Sequence, residues 1–164
     1  MRRAILLLLC GFRVLQAESA AGLSWTAPAG WVSKGAATMR AATYTAGDSE
    51  CVVYFFGPGQ GGSIEANLTR WKGQFTRNGQ AAPASISKKV VRGINITEME
   101  VAGVYSGTGG PAMAPQTPKP GSRMMAAIIE GPGGNLFVKF TGPENTIRAN
   151  AAGFEALLAS FRKE

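Results

Sequence analysis

CVVYFF (Cys51–Phe56), GPGQGG (Gly57–Gly62) and SIEANLTRWKGQFT (Ser63–Thr76) follow one another directly, and their three textures decide the fold class. In the first segment both alternating sets are apolar, Cys51, Val53 and Phe55 on one side and Val52, Tyr54 and Phe56 on the other. A strand apolar on both faces is covered on both faces, so this segment is predicted to be a central strand with packing layers above and below. The glycine-rich stretch breaks it. Beyond the break, Ile64, Leu68, Trp71 and Phe75 recur in steps of four, three and four, one face of a helix. Each of these side chains contributes roughly 1.5–3 kcal/mol when buried, enough to hold that helix on the sheet despite Asn67 and Thr69.

Outward from this core the pattern stays strand-rich. LSWTAPAGW (Leu23–Trp31) reads as a short edge strand entering a turn, and MRAATYT (Met39–Thr45) as a second strand. SISKKVV and INITEMEVAGVYSG surround Arg92-Gly93, a hairpin signal. In the second arm Ile94 and Ile96 share one phase while Met99 and Val101 share the other, which predicts a bulge near Thr97. GTGGPAMAPQTPKPG (Gly107–Gly121) is too rich in glycine and proline for regular structure and is expected to be a mobile, exposed loop, dispensable for folding. MMAAIIE and NLFVKFTG form another hairpin about Gly131–Gly134, and Ile147, Ala151, Phe154, Leu158 and Phe161 mark a single closing helix.

The start, MRRAILLLLCGF, has the shape of a secretory signal, with Arg2 and Arg3 before an apolar run too short to span a bilayer. Residues 1–21 are therefore assigned to a leader, cut after Ala17 or Ala21, with either cut expected to leave the fold intact. An exported protein, periplasmic or secreted, follows, with residues 22–164 as a single domain carrying the loop at 107–121. The leader up to Ala17 holds three of the 17 basic residues and none of the ten acidic ones, leaving 14 against ten, a net charge of +4. That excess is small and scattered, so a nucleic-acid partner is not expected.

No histidine occurs, and Cys51 is the sole cysteine outside the leader. The commonest general base and metal ligand is thus missing. Cys51 lacks a histidine to activate it and is read as a buried structural thiol. Glu98 and Glu100 project to one face of a strand and could hold a cation with Asp48 or Glu50, but two carboxylates do not make a site and a solvated face is favoured. The glycine loop has neither the lysine nor the spacing of a phosphate-binding loop. It reads as a sharp reversal, with an anion cradle as the alternative, and Gly62 or Ser63 is the expected helix cap. No cofactor is expected.

The loop and helix, FFGPGQGGSIEANLTRWKGQF, together with RMMAAIIEGPGGNLFVKFTGPENTIRANAAGFEALLASF, resemble uncharacterised exported bacterial proteins sharing a glycine loop, an N-x-x-R-W helix and an F-x-K-x-T-G-P segment. The architecture of that family is similar to the PsbP-like fold, an α+β arrangement with a curved antiparallel sheet between helical layers (an α/β/α sandwich). The same fold occurs in a nuclear transport factor that binds a small GTPase, and the resemblance implies a binding or assembly role rather than catalysis. The positions that match are Gly57, Gly61, Gly62, Asn67, Arg70, Trp71, Lys139, Thr141, Gly142 and Pro143.

Most of these have structural explanations, but Asn67 and Arg70 lie three apart on the helix and could join Lys139 or the glycine loop in one hydrogen-bonded cluster. Gly59, Gly61, Gly62, Asn67, Arg70 and Lys139 are accordingly the candidate contacts for a protein partner or small ligand. The leading expectation is a non-enzymatic exported binding or assembly domain. Two alternatives stand beside it: a hydrolase or transferase using Arg70, Lys139 and a hydroxyl, and a cation-dependent assembly subunit.

Overall fold

A computed structural model describes residues 17–107 and 117–164. In chain order the elements are β1 (Ala17–Ala20), β2 (Leu23–Thr26), β3 (Val32–Ser33), β4 (Arg40–Ala46), β5 (Ser49–Tyr54), α1 (Ile64–Lys72), β6 (Phe75–Arg77), β7 (Gln80–Ala81) and β8 (Ala84–Val91). There follow β9 (Ile94–Tyr105), β10 (Lys119–Gly131), β11 (Gly134–Pro143), α2 (Glu144–Ala149), α3 (Ala151–Ser160) and β12 (Arg162–Lys163). Strands take 53% of the described residues and helices 18%, so the fold is mostly β, and the helical layers are thinner than a full sandwich requires.

The principal sheet is antiparallel and open, in the order β3-β4-β5-β11-β10-β9-β6-β7, with β8 paired to the remaining length of β9. Its centre is the β10–β11 hairpin, in register from Ser122↔Pro143 to Gly131↔Gly134. The strand Cys51–Phe56 forms as β5 but ends at Tyr54, and it lies between β4 and β11, one place from the middle of the sheet. β2 is not an edge: it is the centre of a separate three-stranded sheet, β1-β2-β12.

Two apolar clusters lie on opposite faces of the principal sheet. On one, Cys51, Val53, Ile94, Ile96, Ala127, Ile129, Val138 and Phe140 pack with Trp25, Trp31, Ile147, Phe154, Leu158 and Phe161. On the other, Met99, Val101, Met124, Ala126, Ile128 and Phe137 pack with Trp71 and Phe75. This division accounts for the two phases of β9 without the expected bulge at Thr97, because the β9–β10 register runs unbroken from Ser122↔Gly103 to Ile129↔Ile96. The first half of the strand is buried by the C-terminal layer and the second half by α1. Alternation therefore changes sides where the cover changes sides.

Three further boundaries differ from the sequence pattern. Trp71 is 3% exposed on α1 as expected, but the helix stops at Gly73, and Phe75, equally part of the stripe, is already in β6. The closing helix is two helices, because the chain turns at Asn150, whose Nδ2 donates to the Thr146 carbonyl at 2.9 Å. At Gly153 on α3, a β-carbon would stand 2.9 Å from Trp31 Nε1, so this helix approaches the sheet layer too closely for any side chain. Lys119–Gly121, expected to be the end of the loop, open β10. Residues 108–116 of that loop lie outside the described residues, as do residues 1–16 of the expected leader.

The two possible leader cuts are not equivalent. β1 pairs with β2 from Ala17↔Thr26 to Ala20↔Leu23, and the buried Tyr44 hydroxyl donates to the Glu18 carboxylate while accepting from Trp25 Nε1 at 2.9 Å. A cut after Ala21 would remove β1 and leave that phenol without its acceptor, a loss for a buried polar group of about 1–3 kcal/mol. The sequence reading treats the two cuts alike, but only a cut after Ala17 would keep Glu18–Ala20 of β1 paired with β2.

Trp71→Ala is expected to destabilise the protein by about 3–5 kcal/mol through the lost contacts and the cavity left against Phe137. A loss below about 1 kcal/mol in a denaturant titration would mean that α1 does not hold this face together.

Candidate functional site

The chain leaves β5 on one side of the sheet and must reach β6 on the other, and α1 makes this crossing. Ser63 starts the helix, its Oγ accepting from the Ala66 amide at 3.1 Å, with Glu65 in the first turn. Before it, the glycine loop passes directly over Phe137. A β-carbon on Gly61 would lie 2.5 Å from Phe137 Cε2, and Gly61 also has φ of +92°, so both space and backbone conformation demand glycine.

Asn67 ties this loop to the helix. It is 1% exposed, and its Nδ2 donates to the carbonyls of Gly61 and Ser63, each at 2.8 Å, while its Oδ1 accepts from the Arg70 guanidinium. Gly62 sits against this amide, with a hypothetical β-carbon 3.5 Å from Asn67 Nδ2, whereas Gly59 is exposed and a β-carbon there would meet nothing within 4 Å. The expected hydrogen-bonded cluster thus forms from Gly61, Asn67 and Arg70, with Gly62 packed beside it. Gly59 stands apart from it.

Lys139 on β11 lies beside this group on the sheet side, hydrogen-bonded to Gln74 and not to the group itself. Its Nζ donates to Gln74 Oε1 at 3.0 Å and lies 6.0 Å from the centre of the Trp71 ring. Burial, reinforced by the nearby charge of Arg70, pulls its pKa down to about 8. Arg70 itself is exposed. Gln74 is 4% exposed and its Nε2 has no acceptor among the described residues. The donation from Lys139 fixes which end of the amide is oxygen.

Two adjoining clefts open here on the α1 face of the sheet. The smaller, about 340 Å³, is bordered by Asn67, Arg70, Gln74 and Lys139 on a wall of aromatic rings. The larger, about 690 Å³, extends along β5 and β11 past Arg40, Glu50, Tyr105 and Lys119. Tyr54 and Lys139 line both. Burial raises the pKa of the Tyr54 and Tyr105 phenols, so both remain protonated donors. Gln74, Tyr54 and Phe56 were not among the sequence candidates. Phe56 and Tyr54 had a visible signal, the second apolar face of the Cys51–Phe56 segment, but Gln74 had none, because it follows the helix at a position set by the turn at Gly73.

Elsewhere the chemistry is spent. Cys51 is fully buried and desolvation pushes its thiol far above the ordinary range, as a structural thiol requires. Glu98 pairs with Lys89, which also reaches Glu155 at 2.7 Å, while Glu100 and Glu144 share Arg123. Glu50 pairs with Arg40 at 3.1 Å. Glu98 and Glu100 do share a face, but lysine and arginine answer them, so the carboxylates do not converge, and among the described residues no group of three or more acidic or cysteine side chains has the geometry for a metal.

Lys139 carries a testable linkage. Its pKa in the folded state, about 8, lies below the ordinary 10.5, so between these values the unfolded chain binds more protons and stability gained from this group rises with pH. Below pH 8 the lysine is charged in both states and its burial cost is fully present. Lys139→Met should therefore be most favourable relative to the wild type near neutral pH, with its relative advantage shrinking as pH rises from 8 to 10.5. A pH-independent difference in denaturation midpoint would mean that Lys139 is not desolvated.

No known family model matches the chain, and no curated protein sequence matches it. Among solved structures it is similar to the solution structure of cyanobacterial PsbP (CyanoP) from Synechocystis sp. PCC 6803, at 12% identity over 94% of this chain and 96% of that one, with a TM-score of 0.55. At that identity the likeness is one of architecture, and it shows that the chain has a PsbP-like fold.

Proposed function

We propose that this protein is a non-enzymatic, exported binding or assembly domain whose ligand or protein partner docks in the double cleft between α1 and the β5–β11 strands. The observation that carries this reading is the cleft itself. Its two parts share Lys139 and Tyr54, the wall of its smaller part is aromatic, and the exposed Arg70 in that part is held in place by Asn67. The smaller part sets a few positioned polar groups beside apolar surface, which is what a binding site needs. The PsbP-like fold agrees with a binding role by analogy of architecture alone. Export rests on the leader-like start, and no helix among the described residues is long and apolar enough to cross a membrane.

One observation favours the enzymatic alternative. A lysine with pKa near 8 in a cleft has the character of a catalytic amine. Its hydrogen bond goes to Gln74 rather than to a hydroxyl, and the Tyr54 phenol beside it is a weak nucleophile while protonated. Ser122 and Thr141 line the same larger cleft, but Lys139 is hydrogen-bonded to neither, and a base not engaged with a nucleophile fits binding better than turnover.

The test is co-fractionation from the envelope of the native organism with wild type and Arg70→Glu in parallel. A partner retained by the wild type and lost by the variant supports the proposal; one retained equally by both removes the cleft from the contact surface. Hydrolysis or transfer by the purified protein that vanishes in Lys139→Met would favour the enzyme instead. Processing offers a separate check: the mature N-terminus is expected at Glu18, and a start at Gly22 would show that the exported form dispenses with β1.

A further inference from the structure

The smaller cleft has a composition that specifies its ligand more narrowly, on the reading above that this cleft is the contact surface. Its wall is made of four aromatic side chains in mutual contact. Tyr54 and Phe56 are stacked with centroids 5.8 Å apart, Phe56 and Phe137 lie 5.6 Å apart, and Trp71 meets Phe137 edge-on at 6.4 Å. Of these, Tyr54 and Phe56 keep part of their surface open. Bordering the wall are two cations, Arg70 and Lys139, with no carboxylate among the lining residues. Gln74 borders it too, with a buried amide donor that no described residue answers.

Each of these features lacks something, and one kind of molecule supplies all of it. The rings offer apolar surface for another flat ring. Uncompensated cations call for an anion, and Arg70 presents the planar fork that matches a carboxylate. The spare Gln74 donor needs an acceptor oxygen. The volume, about 340 Å³, is at the lower end of the range of small-molecule sites. A bare inorganic anion would use the cations but leave the wall uncovered, and a neutral aromatic would cover the wall but leave the charges unanswered.

We propose that the cleft walled by Tyr54, Phe56, Trp71 and Phe137 binds a small aromatic carboxylate, its ring against the wall and its oxygens held by Arg70, Lys139 and the Nε2 of Gln74. Such binding also takes up protons. Arg70 on α1 faces Lys139 on β11, with the protonated phenols of Tyr54 on β5 and Tyr105 on β9 lining the adjoining space. Lys119 on β10, Asp48 between β4 and β5, and the Arg40–Glu50 pair stand farther along the larger cleft. Of these, Arg70 is the charge that depresses Lys139. An anion between the two offsets that repulsion and raises the lysine pKa.

The probe is 2-naphthoate, compared with 2-naphthamide and with inorganic phosphate. Titrations follow the Gln74 side-chain amide by NMR and the heat of binding by calorimetry. Saturable naphthoate binding is expected, weakened at least about tenfold in the amide and in Arg70→Gln, an exposed substitution that leaves the core untouched. Just above pH 8, calorimetry in two buffers of different ionisation enthalpy should show proton uptake by the wild type and none by Lys139→Met. Equal affinity for naphthoate and naphthamide would overturn the anionic part of the proposal, and phosphate binding as tightly as naphthoate would overturn the aromatic part. Absence of saturable naphthoate binding would overturn the whole. In that case a partner still lost by Arg70→Glu in co-fractionation would keep the cleft as a protein contact, so the two readings fail separately.

Discussion

The close passage of the glycine loop over Phe137 is the contact on which the α1 face depends. β5 and β6 are separated by β11, β10 and β9, four strand spacings or roughly 19 Å. A helix of nine residues covers only about 14 Å. The loop Gly57–Gly62 makes up the rest, and it does so at ring distance from the sheet because Gly61 has no side chain to keep it away. Asn67 then fastens loop to helix from beneath. Without that low approach Trp71 would not reach the cluster formed by Met124, Ile128 and Phe137.

The short crossing also explains why this face of the sheet is only partly covered. On the opposite face α2, α3 and the small sheet build a broad layer around Trp25, Trp31, Phe154 and Phe161. On the α1 face one helix covers β9, β10 and part of β11 and stops short of Tyr54 on β5 and Lys139 on β11, which is where the clefts lie. Lys139 belongs to the same strand as Phe137 and Phe140, yet it falls at the border of this cover. Its amine is desolvated enough to titrate near 8 but keeps a polar partner in Gln74. A lysine deeper beneath α1 would be far costlier; one farther out would be an ordinary surface charge.

Several elements were legible because their periodicity reports burial directly. The β10–β11 hairpin, the α1 stripe through Trp71 and the buried thiol at Cys51 all stand where their patterns place them. The misreadings have a common cause. Periodicity registers that a residue is buried and not which layer buries it, so the two phases of β9 resembled a bulge, and Phe75 and Phe161 resembled helix residues although both lie beyond their helices. Glu18 carried no sign in the sequence that a buried tyrosine 26 positions later would need it.

By itself the sequence determined a strand-rich α+β chain, the glycine-loop junction and the helix that carries Asn67, Arg70 and Trp71, because these follow from local spacing and from residues with restricted backbone behaviour, whereas the PsbP-like architecture was implied only by resemblance. It also singled out Lys139. Only the tertiary structure decided that the lysine meets Arg70 and Gln74 beside a wall of four aromatic rings, since that meeting depends on how far α1 reaches across the sheet. It likewise decided that Glu98 and Glu100 are answered by Lys89 and Arg123 rather than left to a cation. Partners separated by tens of residues leave no mark in the spacing of either one, because the distance between them is set by strand order and by the layer packed above, not by the chain that joins them.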